Sequence, residues 1–187
     1  MTDPSRIHRQ QLLREAEGYL DLITVFGGRW QVTKEVRDSL CKRAIVTLDK
    51  IADPGGMAAQ VYFLHGQARR HLGHLQDAIP FFCAAAEHEP SNVHVYLALA
   101  WCYKRIRRVD LAIESLEAAI QEDPALAILH YNLACYWALV GNVKCAIRFL
   151  HQAFDLEPNY RDLVSAESDF DPIRHHPQFL SLTMEVC

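Results

Sequence analysis

The chain has 187 residues, half of them apolar and 22% charged, which is ordinary for a soluble globular protein with one real core. Its net charge of −4 speaks against a protein built mainly to neutralise phosphates, while leaving room for a local basic patch. No run of apolar residues is long enough for a membrane span, and the opening "MTDPSRIHRQQLLREAE" lacks the apolar stretch of a secretion signal.

In chain order, residues 5–54 read as a helical hairpin. Leu12, Ala16, Tyr19, Ile23 and Phe26 fall on one helical face, and Gly27-Gly28 break that helix. Val32, Val36, Leu40, Ala44, Leu48 and Ile51 form a second stripe at a near-four period, ended by "DPGG". Residues 1–57 are therefore expected to form an N-terminal hairpin that caps the remaining helices.

Next come three segments in one register, "VYFLHGQARRHLGH", "VYLALAWCYKRIRR" and "LHYNLACYWALVGN", spaced 34 residues apart. A small residue recurs in the first helix of each unit (Gly66, Ala100, Ala134) and an alanine opens the second (Ala78, Ala112, Ala146). A large apolar residue follows (Phe82, Leu116, Leu150), then another alanine (Ala85, Ala119, Ala153), then a closing proline (Pro90, Pro124, Pro158). Small residues let helices cross closely, apolar residues three and four apart make one buried stripe per helix, and proline ends a helix. Gly73 and Gly141-Asn142 mark the turn inside the first and third units, where the middle unit has "RIRRVD".

These columns resemble the tetratricopeptide repeat, with its 34-residue period and W-x2-L-G-x2-Y…A-x3-F…P pattern. Tyr62, His65, Gly66 and Arg69 occupy the first-helix positions of unit one, Tyr96, Leu99, Ala100 and Tyr103 those of unit two, and His130, Leu133, Ala134 and Trp137 those of unit three. His65 and Arg69 stand where the pattern is apolar or aromatic, so unit one is expected to pack less regularly. The resemblance implies an all-α, right-handed superhelical stack of helix-turn-helix units: three over residues 58–158 (about 59–92, 93–126 and 127–160), preceded by the 1–57 hairpin as a degenerate repeat-like cap whose columns do not register with the other three, and followed by C-terminal capping helices over 159–187.

In that tail, Leu163, Ala166, Phe170, Ile173, Phe179 and Leu182 read as apolar anchors, and Asp171-Pro172 and His176-Pro177 as helix starts. The acidic pair Asp169 and Asp171 reads as helix capping. The "DFDPIR" run resembles the closing segment of some bacterial repeat proteins, which implies a bacterial source.

The family resemblance implies that first helices line a concave, partner-binding face. Carried over, that face is Gln60, Phe63, Gln67, Arg70 and His71 in unit one, and His94, Leu97, Trp101, Lys104 and Arg105 in unit two. In unit three it is Ile128, Tyr131, Cys135, Ala138 and Leu139. Each set keeps to one face of its helix. Arg70 and His71 lie one period before Lys104 and Arg105, with Arg69, Arg107 and Arg108 near the same edge, so a basic end to the groove is expected to meet an acidic segment or a terminal carboxylate. Phe63, Trp101 and Tyr131 are the expected apolar anchors. The face of unit three is nearly apolar, and the tail is a candidate to fold over it. A chaperone-type carboxylate clamp is matched poorly, because Phe63, Gln67, Leu97, Ala98 and Trp101 stand where several clamp residues would be.

The expected function is thus a noncatalytic adaptor or scaffold that binds a peptide or helix, without a cofactor. The alternatives are a type III secretion translocator chaperone and, from another class, nucleic-acid binding through Lys104–Arg108; self-association through an uncovered end face is a further one. His71 and His74, or His175 and His176, lack the extra ligand of a closed zinc site, so no metal is expected. No Gly-rich phosphate loop, GxSxG elbow or HExxH is present, and a Cys135–His130 pair is one that any helical protein of this composition would offer. The six cysteines include no CxxC pair and fit a reducing, cytoplasmic setting.

Overall fold

The computed structural model describes residues 4–27 and 32–184, and among these residues it is all-helical, with no strand. The helices are α1 (Pro4–Gly27), α2 (Lys34–Leu48), α3 (Ala58–His71), α4 (Leu75–His88), α5 (Val93–Arg105), α6 (Val109–Glu122), α7 (Ala127–Leu139), α8 (Val143–Leu156), α9 (Tyr160–Val164) and α10 (Pro177–Met184). Short 3-10 helices precede α3 (Gly55–Met57) and α10 (Ser168–Ile173). Of the residues expected to break the first helix, Gly28 lies outside the described residues, as do the side chain of Phe26 and Cys187. The chain divides into two compact units, Met1–Pro90 and Ser91–Cys187.

In the first unit α1 pairs with α2 and α3 with α4. Thr33 caps α2, its hydroxyl oxygen accepting from the Val36 amide at 3.4 Å. The core joins Leu12, Leu13, Ala16, Leu20 and Ile23 of α1 to Cys41, Ala44 and Leu48 of α2, Ile51, and Val61, Leu64 and Ala68 of α3. This corrects the four-period stripe in α2: Val36 is 50% exposed and Cys41 fully buried. Steps of four drift by about 40° per repeat on a helix of 3.6 residues per turn, so a stripe that is right at Ala44 and Leu48 has rotated off the core two steps earlier.

His65 and Arg69, the two departures from the repeat pattern, build a stack of their own. The His65 ring lies 4.9 Å from the Phe81 ring, and the Arg69 guanidinium sits over the same ring at 3.9 Å, so cation–π and ring stacking replace the expected apolar pair. Gly66 faces Phe82 so closely that a Cβ there would stand 2.6 Å from the ring.

In the second unit α5 pairs with α6 and α7 with α8, while α9, the second 3-10 helix and α10 pack back onto α7 and α8. The column residues Ala100, Ala112, Leu116, Ala119, Ala134, Ala146, Leu150 and Ala153 are all fully buried, as are Ala78, Phe82 and Ala85 of the first unit. The turns inside the three hairpins share one bonding scheme. Gly73 N–H donates to Arg70 and His74 to Arg69; Arg107 donates to Lys104 and Arg108 to Tyr103; Gly141 donates to Ala138 and Asn142 to Trp137. These are Schellman closures, which need one left-handed residue. Gly73 (φ 82°) and Gly141 (φ 75°) supply it easily, whereas the middle unit places Arg107 there at φ 63°.

The tail differs from its expected anchors in two places. Leu163 is 52% exposed and Ala166 is also exposed, while the neighbouring Val164 is buried. Phe170, Ile173, Phe179 and Leu182 are buried as expected. Pro177 opens α10, whereas Pro172 lies inside the 3-10 helix. The capping residue is Glu167, whose carboxylate accepts from the Asp169 amide at 3.1 Å; Asp171 instead pairs with Arg174 at 2.8 Å, and the Asp169 side chain turns inward.

Candidate partner-binding site

In the second unit the predicted face of α5 is half open. His94 and Arg105 are exposed, and Trp101 is 38% exposed with the Arg105 guanidinium 5.6 Å from its ring centre. Leu97 is partly buried against the core. Lys104 donates to the carboxylate of Asp169 and lies 5.5 Å from the centre of the Tyr136 ring. Lys104 and Arg105 occupy the last turn of α5, where the helix dipole favours cations. Arg108, expected at the same edge, is paired with Asp110 at 2.7 Å. A cavity of about 510 Å³ is lined by Lys104, Arg105, Arg107, Val109, Leu139 and Asp169.

The corresponding face of α7 is covered. Tyr131 is 5% exposed, with the Tyr160 ring at 4.8 Å and the Phe170 ring edge-on at 5.8 Å. Cys135 is buried beside Glu167 and Asp169. Burial first, and then those two carboxylates, push its thiol well above the ordinary range. Ile128 and Leu139 are partly buried against the same core. The 3-10 helix Ser168–Ile173 thus occupies the inner side of α7 and reaches Lys104 on α5, with Asp169 and Phe170 making the contacts. The sequence marked one of these residues as a cap and the other as a core anchor, and offered the tail as a candidate cover for the apolar face of unit three; it carried no signal that Asp169 reaches Lys104 on α5.

Cys135, Glu167 and Asp169 bring three potential ligand atoms within 4.8 Å of one another. A cation there would have to displace the Lys104 ammonium and ionise a thiol that burial keeps protonated, so the donor set fits the ion pair better than a metal. His130 is separately engaged, its Nε2–H donating to the Pro124 carbonyl at 2.8 Å across the turn between hairpins.

In the first unit, Gln60 donates to Glu17 of α1 and Phe63 packs 5.8 Å from Phe82. Gln67, Arg70 and His71 are partly buried. Burial, followed by the positive charges of Arg70 and Arg37, lowers the His71 pKa to about 4. Arg69, predicted at the basic edge, is taken up by its stack on Phe81. The sequence did not flag a second cavity, of about 400 Å³, between α1 and α2, whose lining includes Glu15, Tyr19, Lys42, Arg43 and Lys50.

Paired helices closed by Schellman turns, with buried columns at a 34-residue period, define a tetratricopeptide-repeat fold. Residues 70–133 match the tetratricopeptide repeat family. Among solved structures the chain is similar to a crystal structure of MamA, with a TM-score of 0.59 at 19% identity, covering 87% of this chain and 99% of that one. It is likewise similar to YrrB, a TPR protein with an unusual peptide-binding site, with a TM-score of 0.59 at 18% identity over 81% of this chain and 73% of that one. At these identities the likeness is one of fold. No curated protein matches the chain. Among the described residues no helix is long and apolar enough to cross a membrane.

Proposed function

We propose that the chain is a noncatalytic adaptor, of bacterial cytoplasmic setting, that docks a peptide or helix of a partner protein on the inner faces of its first helices. In the second unit the docking residues are His94, Leu97, Trp101, Lys104, Arg105, Ile128 and Tyr131; in the first they are Gln60, Phe63, Gln67, Arg70 and His71. The observation that carries this reading is the half-exposed Trp101 with Arg105 over its ring, beside a cavity lined by Lys104, Arg105 and Arg107. Tryptophan and arginine dominate binding hot spots, and a cationic rim selects an acidic partner. The peptide-binding site named for YrrB supports the same use of this fold.

The test is affinity capture from a bacterial lysate with mass spectrometry, wild type beside the double variant Arg70→Glu/Arg105→Glu, after circular dichroism shows that both fold. A partner retained by wild type and lost by the double variant is the expected result. A partner retained equally by both would move the site off these faces, and capture of nucleic acid with steep salt dependence would favour the basic-patch alternative.

A further inference from the structure

The segment that covers α7 has the chemistry expected of a ligand for this face. Asp169 supplies a carboxylate to Lys104, and Phe170 supplies a fully buried ring against Tyr131. An acidic residue followed by an aromatic one is what a face built from Lys104, Arg105, Trp101 and Tyr131 would select. The segment is also secured from outside that face: Arg174 donates to the carbonyls of Glu167 at 2.8 Å, Ser165 at 3.3 Å and Val164 at 3.4 Å, and pairs with Asp171.

The segment fills the site incompletely. The cavity beside Asp169 stays open, and among the described residues neither Arg105 nor Arg107, which line it, is ion-paired. Tyr131 is 5% exposed, yet its hydroxyl has no hydrogen-bond partner among the described residues, a costly omission for a buried polar group. Arg107 is also the residue held in the left-handed conformation where the other two units use glycine, and strain of this kind collects at functional sites.

We propose that Glu167–Ile173 is a resident stand-in for the partner, and that the face formed by α5 and α7 takes a partner peptide with an acid-aromatic pair and at least one further acidic residue. This rests on the adaptor reading and adds to it a ligand class and a closed resting state. The partner displaces the tail because it also engages Arg105 and Arg107, which the tail leaves unpaired. In the free chain the tail's occupancy lowers apparent affinity by the fraction of molecules that are open.

The test titrates fluorescein-labelled peptides, "ESDFDPI" and an acid-enriched "DDDFDPI", into the full-length chain and follows anisotropy. Asp169→Asn weakens the tail's hold on Lys104, and Arg174→Ala weakens its outer bonds without touching the inner face, so either folded variant suffices. Each is expected to bind both peptides at least about tenfold more tightly than wild type, with the acid-enriched peptide the better. Adding Lys104→Gln, or replacing the peptide's phenylalanine by alanine, should remove the gain.

Two results would overturn the proposal. One is a folded Asp169→Asn or Arg174→Ala chain that binds neither peptide better than a scrambled one. The other is a loosened variant that dimerises by tail exchange and resists competition by peptide, which would give the face to a second copy. Either result leaves the adaptor reading to be judged by whether Arg70→Glu/Arg105→Glu still loses its captured partner.

Discussion

Helices α5 and α7 hold the same place in successive repeats, yet they are buried differently. In α5 five of thirteen residues are buried; in α7 nine of thirteen are, where the tail adds its cover to that of α6 and α8. A helix apolar all round must be buried all round, and "AILHYNLACYWAL" reads that way beside the "WCYKR" that ends α5. The repeat frame therefore fixes one face of each helix, while the other face differs from repeat to repeat: the tail covers it in α7, and Trp101 and Arg105 stay exposed on it in α5.

The largest expected effect comes from removing the cover. Phe170→Ala deletes a fully buried ring that contacts both Tyr131 and Phe179. It should cost about 3 kcal/mol or more in urea unfolding, and it should leave Tyr131 newly accessible while α5 and α6 remain folded. If α5 loses protection together with α7, the contrast between the two helices is wrong.

A second comparison sets the hairpin of the first unit against those of the second. Gly66 faces Phe82, whereas the matching columns hold Ala100 with Leu116 and Ala134 with Leu150: the smaller residue accompanies the larger ring. Gly66→Ala should cost about 1–3 kcal/mol by overpacking, and Gly66→Ala/Phe82→Leu should recover most of it in a double-mutant cycle. An additive double variant would refute this complementarity.

Acid should weaken the first unit selectively. The His71 pKa is lowered to about 4 and that of the buried His65 is lowered too, by burial and by Arg69. The folded state thus prefers neutral rings, while the unfolded chain takes up protons near pH 6.5. The stabilisation is complete above that value and is lost as pH falls from about 6.5 toward 4. Amide exchange across this range should show α3 opening earlier than α6, and His71→Gln should flatten the dependence. The smallest effect is expected at the turn of the middle repeat, where Arg107→Gly relieves a left-handed arginine and should stabilise by about 1 kcal/mol in thermal unfolding.

The buried columns were legible because a 34-residue period repeats the packing constraint three times; every alanine, leucine and phenylalanine placed in them is buried. The N-terminal hairpin offered one copy of its pattern, so the drift of the α2 stripe off Val36 and onto Cys41 was not visible. Pro80 lies within α4, where sequence rules would end a helix. The basic cluster was legible as composition, but its division was not. Arg69 goes to a ring, Arg108 to Asp110 and Lys104 to Asp169, a partner 65 residues away that no local spacing could announce. Tyr131 is the opposite case: its place on a nearly apolar face already made the tail a candidate cover, and Tyr160 and Phe170 are the residues that provide it.

The most direct test is hydrogen exchange of the full-length chain under native conditions, residue by residue. If the tail is a removable cover, the amides of Ser168–Ile173 should exchange through an opening that leaves α8 and the buried columns of α5 and α6 protected, and Arg174→Ala should accelerate that opening alone. If those amides exchange only with the global unfolding of α7 and α8, the tail is permanent core, and the inner face of α7 is not a site that a partner can enter.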